Sequence, residues 1–199
     1  AFRGVKELEP GHARVYRGGE VHDTAHFAPS YEKTSCIRSI EEAVEAVSAG
    51  LVRAVSLRML RADVPVGSYL SGGLDSSLVV ALGKMAKGES FNTFSLRFED
   101  AELDESPFQR AVARHVDTEH HEIVVTRRDV AEVFPQVVRH AERPLLRTAP
   151  APLFLLSRLV RAHGIKVVLT GEGADEMFAG YDIFREAKVR RFWARHPES

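Results

Sequence analysis

Apolar residues at Ile40, Val44, Val47, Leu51, Val55 and Met59 recur at spacings of three and four, so the pattern predicts a long helix running on from Ser39. Ser39 followed three residues later by Glu42 has the form of a capping box. Beyond this helix the period changes to short apolar runs that alternate with helical stretches. Strands at 66–70, 92–98 and 120–125 feed helices around 75–87, 105–116 and 128–141, and a helix near 151–163 precedes the apolar run from Ile165 to Leu169. Strands alternating with helices of about ten to fifteen residues imply parallel pairing, hence an α/β fold with a doubly wound parallel sheet and helices on both faces. Ahead of this region, residues 1 to about 30 read as a short β hairpin. Pro10-Gly11 and Gly18-Gly19 are its turn signals, and Ala13-Arg-Val-Tyr16 alternates between them.

Composition adds bounds. With 199 residues, 44% of them hydrophobic, the chain fits one globular domain with a short appendage. A net charge of -1 provides no basic field for a nucleic acid, and Arg185, Lys188, Arg190, Arg191 and Arg195 read as a solvated helix face. Phe192 and Trp193 in the same stretch read as packing residues. The single Cys36 excludes an internal disulfide and a cysteine metal cluster, and it suits a reducing, cytoplasmic setting. No apolar run approaches the roughly 20 residues of a membrane span, and the polar start lacks a signal-peptide core, so no membrane partner is expected. The chain starts at Ala1 and stops among charged residues without a finished motif, which reads as a fragment.

The chemistry concentrates in two strings. Leu70-Ser-Gly-Gly-Leu-Asp-Ser-Ser77 ends an apolar strand in a glycine pair and starts a helix at once, an arrangement that cradles anions. Gly72 and Gly73 let backbone amides approach a polyphosphate, and Ser71, Ser76 and Ser77 add hydroxyls. Asp75 would repel phosphate unless a divalent cation bridged them; its alternative role is a carboxylate serving only the helix dipole. The lysine of a Walker A loop is absent. Leu169-Thr-Gly-Glu-Gly-Ala-Asp-Glu-Met-Phe-Ala-Gly-Tyr181 follows another apolar strand and again interleaves glycines with carboxylates. In doubly wound sheets ligands gather at the carboxyl ends of strands, so the two strings can face one site. His120 and His121 point to opposite faces of a strand and read as structural.

Together these strings resemble the asparagine synthetase family, whose synthetase domain carries S-G-G-x-D-S and, downstream, S/T-G-E-G-x-D-E. Val64-Pro-Val-Gly-Ser68, His120-His-Glu122 and Pro152-Leu-Phe-Leu-Leu-Ser-Arg158 match as well, and the resemblance covers most of residues 31–199. The first string alone marks the wider ATP pyrophosphatase, or PP-loop, superfamily, which includes GMP, NAD and argininosuccinate synthetases and tRNA-modifying enzymes. The resemblance implies an adenine nucleotide α-hydrolase-like sheet that binds ATP and Mg2+. It makes Asp75 and Asp175 the pyrophosphate and Mg2+ positions, and Glu172 the group that positions or deprotonates the attacking nitrogen. A turn carboxylate without function is the alternative for Glu172, and Glu176 reads as a helix cap. Leu70 and Leu96 would contact adenine and ribose, Gly171 would bring an amide to the nucleotide, and Arg147 would serve the substrate or the adenylate phosphate, against the alternative of a surface arginine.

The reaction implied is activation of the aspartate side chain as β-aspartyl-AMP with release of pyrophosphate, then attack by glutamine-derived ammonia. Residues 1–30 would be the tail of a glutaminase domain plus a linker ending near Pro29, and 31–199 an incomplete synthetase domain with little activity alone. A homodimer is compatible with the resemblance. The rival readings are a related amide former, such as a β-lactam synthetase or another amidotransferase, and an inactive nucleotide-binding module. Pro144-Leu-Leu146 lacks hydroxyls that some members carry before the arginine, which leaves the acceptor pocket open.

Overall fold

The computed structural model describes residues 3–28, 36–88, 90–100, 102 and 104–195. The expected linker end at Pro29 and the boundary between residues 30 and 31 lie outside them. A two-stranded antiparallel hairpin comes first, β1 (His12–Arg17) and β2 (Glu20–Ala25), turning at Gly18-Gly19. Asp23 ties it together by accepting from both His12 and Arg14 across the strands.

The long helix α1 (Ile40–Leu60) begins where its periodicity says. Ser39 Oγ accepts from the Glu42 amide at 3.1 Å, but the Glu42 carboxylate accepts from the Arg38 amide rather than from that of Ser39. The expected capping box is therefore half formed, with its return bond displaced by one residue. A complete box closes α4 (Arg127–Ala141), where Thr126 and Asp129 bond reciprocally. Only Val55 and Met59 of the α1 apolar stripe are buried; Ile40, Val44 and Val47 stay exposed because α1 packs on the next helix, α2 (Leu74–Lys87), through its C-terminal half.

Four strands then alternate with helices. They are β3 (Val66–Tyr69), β4 (Asn92–Phe98), β5 (Glu119–Val125) and β6 (Val167–Leu169), all paired parallel in the order β5-β4-β3-β6. The expected α/β architecture is thus present. β6 is shorter than the apolar run because the Ile165 amide donates to Val160 O and stays committed to the end of the preceding helix. The helices α2 (Leu74–Lys87) and α3 (Ser106–Val116) cover one face, where Val80, Phe91 and Ala113 form a core with Leu70 and Leu169. On the other face α5 (Pro150–Ala162) packs Leu156 and Val160 against Phe94, and α4 packs on α5. Two further helices, α6 (Ala174–Phe178) and α7 (Asp182–Arg195), end the described chain, and Phe192 and Trp193 on α7 are exposed. No helix is long and apolar enough to cross a membrane among the described residues.

His120 and His121 serve the sheet. His120 Nδ1 meets Thr93 Oγ1 at 2.9 Å, and His121 Nε2 meets Asn92 Oδ1 at 2.8 Å. The His121 ring also stacks on Phe94 and lies 3.9 Å, centroid to centroid, from His163. Burial lowers the pKa of both His120 and His121 below the ordinary 6.5, outweighing Glu122 beside His120; nearby His163 lowers His121 further against the pull of Glu119. The unfolded chain therefore binds more protons in this range than the fold does, so the stability these histidines contribute is full above pH 6.5 and shrinks as pH falls below it. The urea midpoint is expected to drop between about pH 7.5 and 5.5, and to drop less in His121→Gln. A midpoint that holds or rises on acidification would contradict this.

Candidate active site

β3 and β6 are neighbours, and the chain order reverses direction between them, with β4 and β5 on one side and β6 on the other. This is the topological switch point of a doubly wound sheet, where the loops leaving the strands part and open a crevice. Both glycine-carboxylate strings leave the sheet here.

The first loop is anchored at Leu70. Its amide donates to Phe94 O at 2.9 Å, its carbonyl accepts from Ser95 Oγ at 2.5 Å, and its side chain is buried in the core. Leu70 thus sits at the cavity floor through its backbone, while its side chain faces inward. Gly72 follows at φ 87°, and a Cβ there would stand 3.0 Å from Phe108 Cβ and 3.1 Å from the Gln109 amide. Conformation and space both demand glycine. Gly73 caps α2 without any side-chain bond.

The serine hydroxyls hold the loop to itself. Ser71 Oγ and Ser76 Oγ are 2.8 Å apart, Ser76 Oγ also accepts from the Ser71 amide, and Ser77 Oγ donates to Gly73 O at 2.7 Å. What remains open is the backbone: the amides of Gly72, Leu74, Asp75 and Ser76 have no acceptor among the described residues. The last three are the first-turn donors of α2, at the positive end of its dipole.

The second loop meets the first at Gly171. A Cβ on Gly171 would lie 2.9 Å from Asp75 Cβ and 3.0 Å from the Ser76 amide, so only glycine lets the loop from β6 rest on the start of α2. Contact at this point sets Glu172 and Asp175 around the same cavity as Asp75. Gly173, at φ 93°, turns the chain into α6. The Asp175 carboxylate rests against the Cα of Gly180, where a methyl group would coincide with Oδ1. Tyr181 donates to Glu176 Oε1 at 3.2 Å; that bond and the charge of Glu176 push the phenol above its ordinary value, with smaller contributions from burial, Asp175 and Glu172.

Between the loops lies a cavity of about 330 Å³ whose lining combines the apolar Phe94, Leu96, Phe98, Leu153 and Leu156 with the carboxylates of Asp75, Glu105, Glu172, Asp175 and Glu176. No lysine or arginine lines it among the described residues. Arg147 is exposed in the segment between α4 and α5, outside the lining, and Gly72, Gly73 and Ser77 also lie outside it. Glu105, Gln109 and Tyr181 line it without having been singled out as site residues. For Gln109 the signal was present: a polar side chain in the stripe Ser106, Gln109, Ala113 that α3 buries.

Carboxylates beside exposed helix amides suit a polyanion only if cations accompany it. The donors they offer are hard carboxylate oxygens, a chemistry that fits Mg2+, which commonly takes one or two carboxylates and completes its shell with phosphate and water oxygens.

The family model described as asparagine synthase matches residues 46–198. Amidase chyE of Penicillium rubens is 38% identical over 201 aligned positions, covering 92% of this chain and 30% of that protein. Asparagine synthetase [glutamine-hydrolyzing] 1 of Bacillus subtilis is 33% identical over 194 positions, covering 97% of this chain and 30% of that protein. The chain therefore spans about 30% of the length of these relatives. Among solved structures, NMN synthetase from Francisella tularensis overlaps with a TM-score of 0.49 at 18% identity, covering 69% of this chain and 58% of that one.

Proposed function

The chain belongs to the asparagine synthase family, and we propose that it carries the ATP-dependent amide-forming half of a glutamine-dependent asparagine synthetase. The observation that carries this reading is the contact at Gly171, which joins a carboxylate-bearing loop to the open amides of α2 around one cavity. In this reading the adenine and ribose take the apolar part of the lining by Leu70 and Leu96, and the β and γ phosphates take the amides of Gly72 and of the first turn of α2. Asp75 and Asp175 would hold Mg2+, which would supply neutralisation of the charge on the leaving pyrophosphate.

An aspartate side-chain oxygen attacks the α phosphorus, the bond to the bridging oxygen breaks, and pyrophosphate departs to leave β-aspartyl-AMP. The amides favour this step because negative charge grows on the group they face. Ammonia then attacks the acyl carbon, Glu172 takes a proton from the nitrogen, and AMP leaves with asparagine formed. Arg147 serves the substrate or the adenylate phosphate and has to swing in from its exposed segment to do so. Residues 1–30 are read as the end of a glutaminase domain with its linker and 31–199 as part of the synthetase domain, with ammonia supplied by glutamine hydrolysis in the partner domain. A cytoplasmic homodimer accords with this assignment.

The 38% identity to an amidase, with no hydroxyl in Pro144-Leu-Leu146, favours one second reading: the same adenylation applied to a different acid. Exchange of labelled pyrophosphate into ATP by the full-length protein separates the two. Exchange that requires aspartate supports the first; exchange driven by another acid and not by aspartate supports the second; no exchange with any acid points to an inactive nucleotide-binding module.

A further inference from the structure

Gln109 is only 3% exposed, yet it is fully polar and lines the cavity from α3. Its Nε2 donates to Leu96 O at 3.0 Å and to Ser71 O at 3.3 Å, while Oε1 is buried without a hydrogen-bond partner. The flipped carboxamide would turn its oxygen onto two carbonyls, so the network assigns the nitrogen to this side. A buried acceptor without a donor is a standing cost to the fold. Stability alone would favour an apolar side chain of the same size at this position, so the two donated bonds call for another explanation.

The two carbonyls differ in how firmly they are held. Leu96 lies inside β4, whose ladder with β5 continues past it to the pair Phe98 and Val125. Ser71 lies beyond the end of β3, in the loop. The carboxamide therefore ties a loop carbonyl to one held in the sheet. Ser71 C=O and Gly72 N–H belong to one planar peptide unit and point in opposite directions. Holding the carbonyl toward α3 turns the Gly72 N–H, which has no partner among the described residues, away from α3. Gly72 itself is pressed against the start of this contact, since its Cβ position lies 3.1 Å from the Gln109 amide.

We infer that Gln109 is a positioning residue for the phosphate loop, borrowing the rigidity of β4 to fix the Ser71–Gly72 peptide so that its amide receives the pyrophosphate. This rests on the reading of that loop as the pyrophosphate site. The test is calorimetric titration of the full-length protein with Mg2+ pyrophosphate and, separately, with AMP, comparing wild type with Gln109→Met and Gln109→Leu. Methionine keeps the bulk without donors, and leucine is a second uncharged side chain without donors. The pyrophosphate Kd should rise about tenfold, the loss of roughly one well-made bond, while the AMP Kd stays within about twofold because β4 does not move. In wild type, Mg2+ pyrophosphate should shift the Gly72 amide resonance strongly, and in either variant that shift should shrink. Should Gln109→Met fail to fold, Gln109→Leu carries the comparison. Equal losses for both ligands, or no loss, would overturn the inference and leave the site reading standing; a wild type that binds neither ligand would overturn both.

Discussion

Glu172→Gln is expected to lower asparagine formation by about 10²–10⁴-fold, the usual contribution of a positioned acid or base, while acid-dependent exchange of pyrophosphate into ATP stays within a few-fold of wild type. The split follows from the geometry. Glu172 stands between Gly171 and Gly173, where neither neighbour has a side chain, and it faces the cavity where α2 begins. In the proposed reaction, activation of the acid uses the α2 amides and needs no proton taken by Glu172, whereas the amine cannot finish its attack without losing one. Glutamine keeps the size and hydrogen-bonding reach of the side chain but cannot accept that proton. Equal losses in exchange and in amide formation would place Glu172 in nucleotide binding instead. Glu172→Asp, with a retracted carboxylate, should fall between the two.

Asp75→Asn or Asp175→Asn should weaken Mg2+-dependent ATP binding by about 100-fold, or about 2.7 kcal/mol. The carboxylate lining gives this prediction an unusual second sign. Five carboxylates line the cavity with no cationic side chain among the described residues, so without a divalent ion each of them repels the triphosphate. In chelator, therefore, either variant should bind ATP slightly better than wild type, and with Mg2+ much worse. The double substitution should cost less than the two single costs added, because both side chains would hold one ion. Titration of ATP with and without Mg2+ measures all four states. A variant that binds equally well with Mg2+ would remove its aspartate from the metal assignment.

Much of the molecule is written locally. Alternation of apolar runs with helical spacing was enough to anticipate the parallel sheet, because period and strand length are properties of short segments. The glycines flanking Glu172 and at Gly72-Gly73 marked both loops; at Gly72 and Gly173 few other residue types tolerate the backbone, and at Gly171 none other fits the space. Other features could not be anticipated in this way. Half of the α1 stripe stays exposed, because burial depends on what a neighbouring helix covers. Ser77 has the residue type of a phosphate donor, yet its hydroxyl closes on Gly73 O. Arg147 stands in a suggestive context but lies outside the cavity wall.

The phosphate loop shows where the division lies. Its glycine pair, its carboxylate and the helix that follows are adjacent in sequence, and adjacency alone makes an anion cradle of them. That the cavity beside it is lined by carboxylates and, among the described residues, by no cationic side chain, that Gly171 seats a distant carboxylate loop upon it, and that Gln109 ties it to β4 are facts of packing. They depend on contacts between segments far apart in the chain. Local pattern carries little information about such meetings, because the energy that selects them is released only when the whole sheet closes its core.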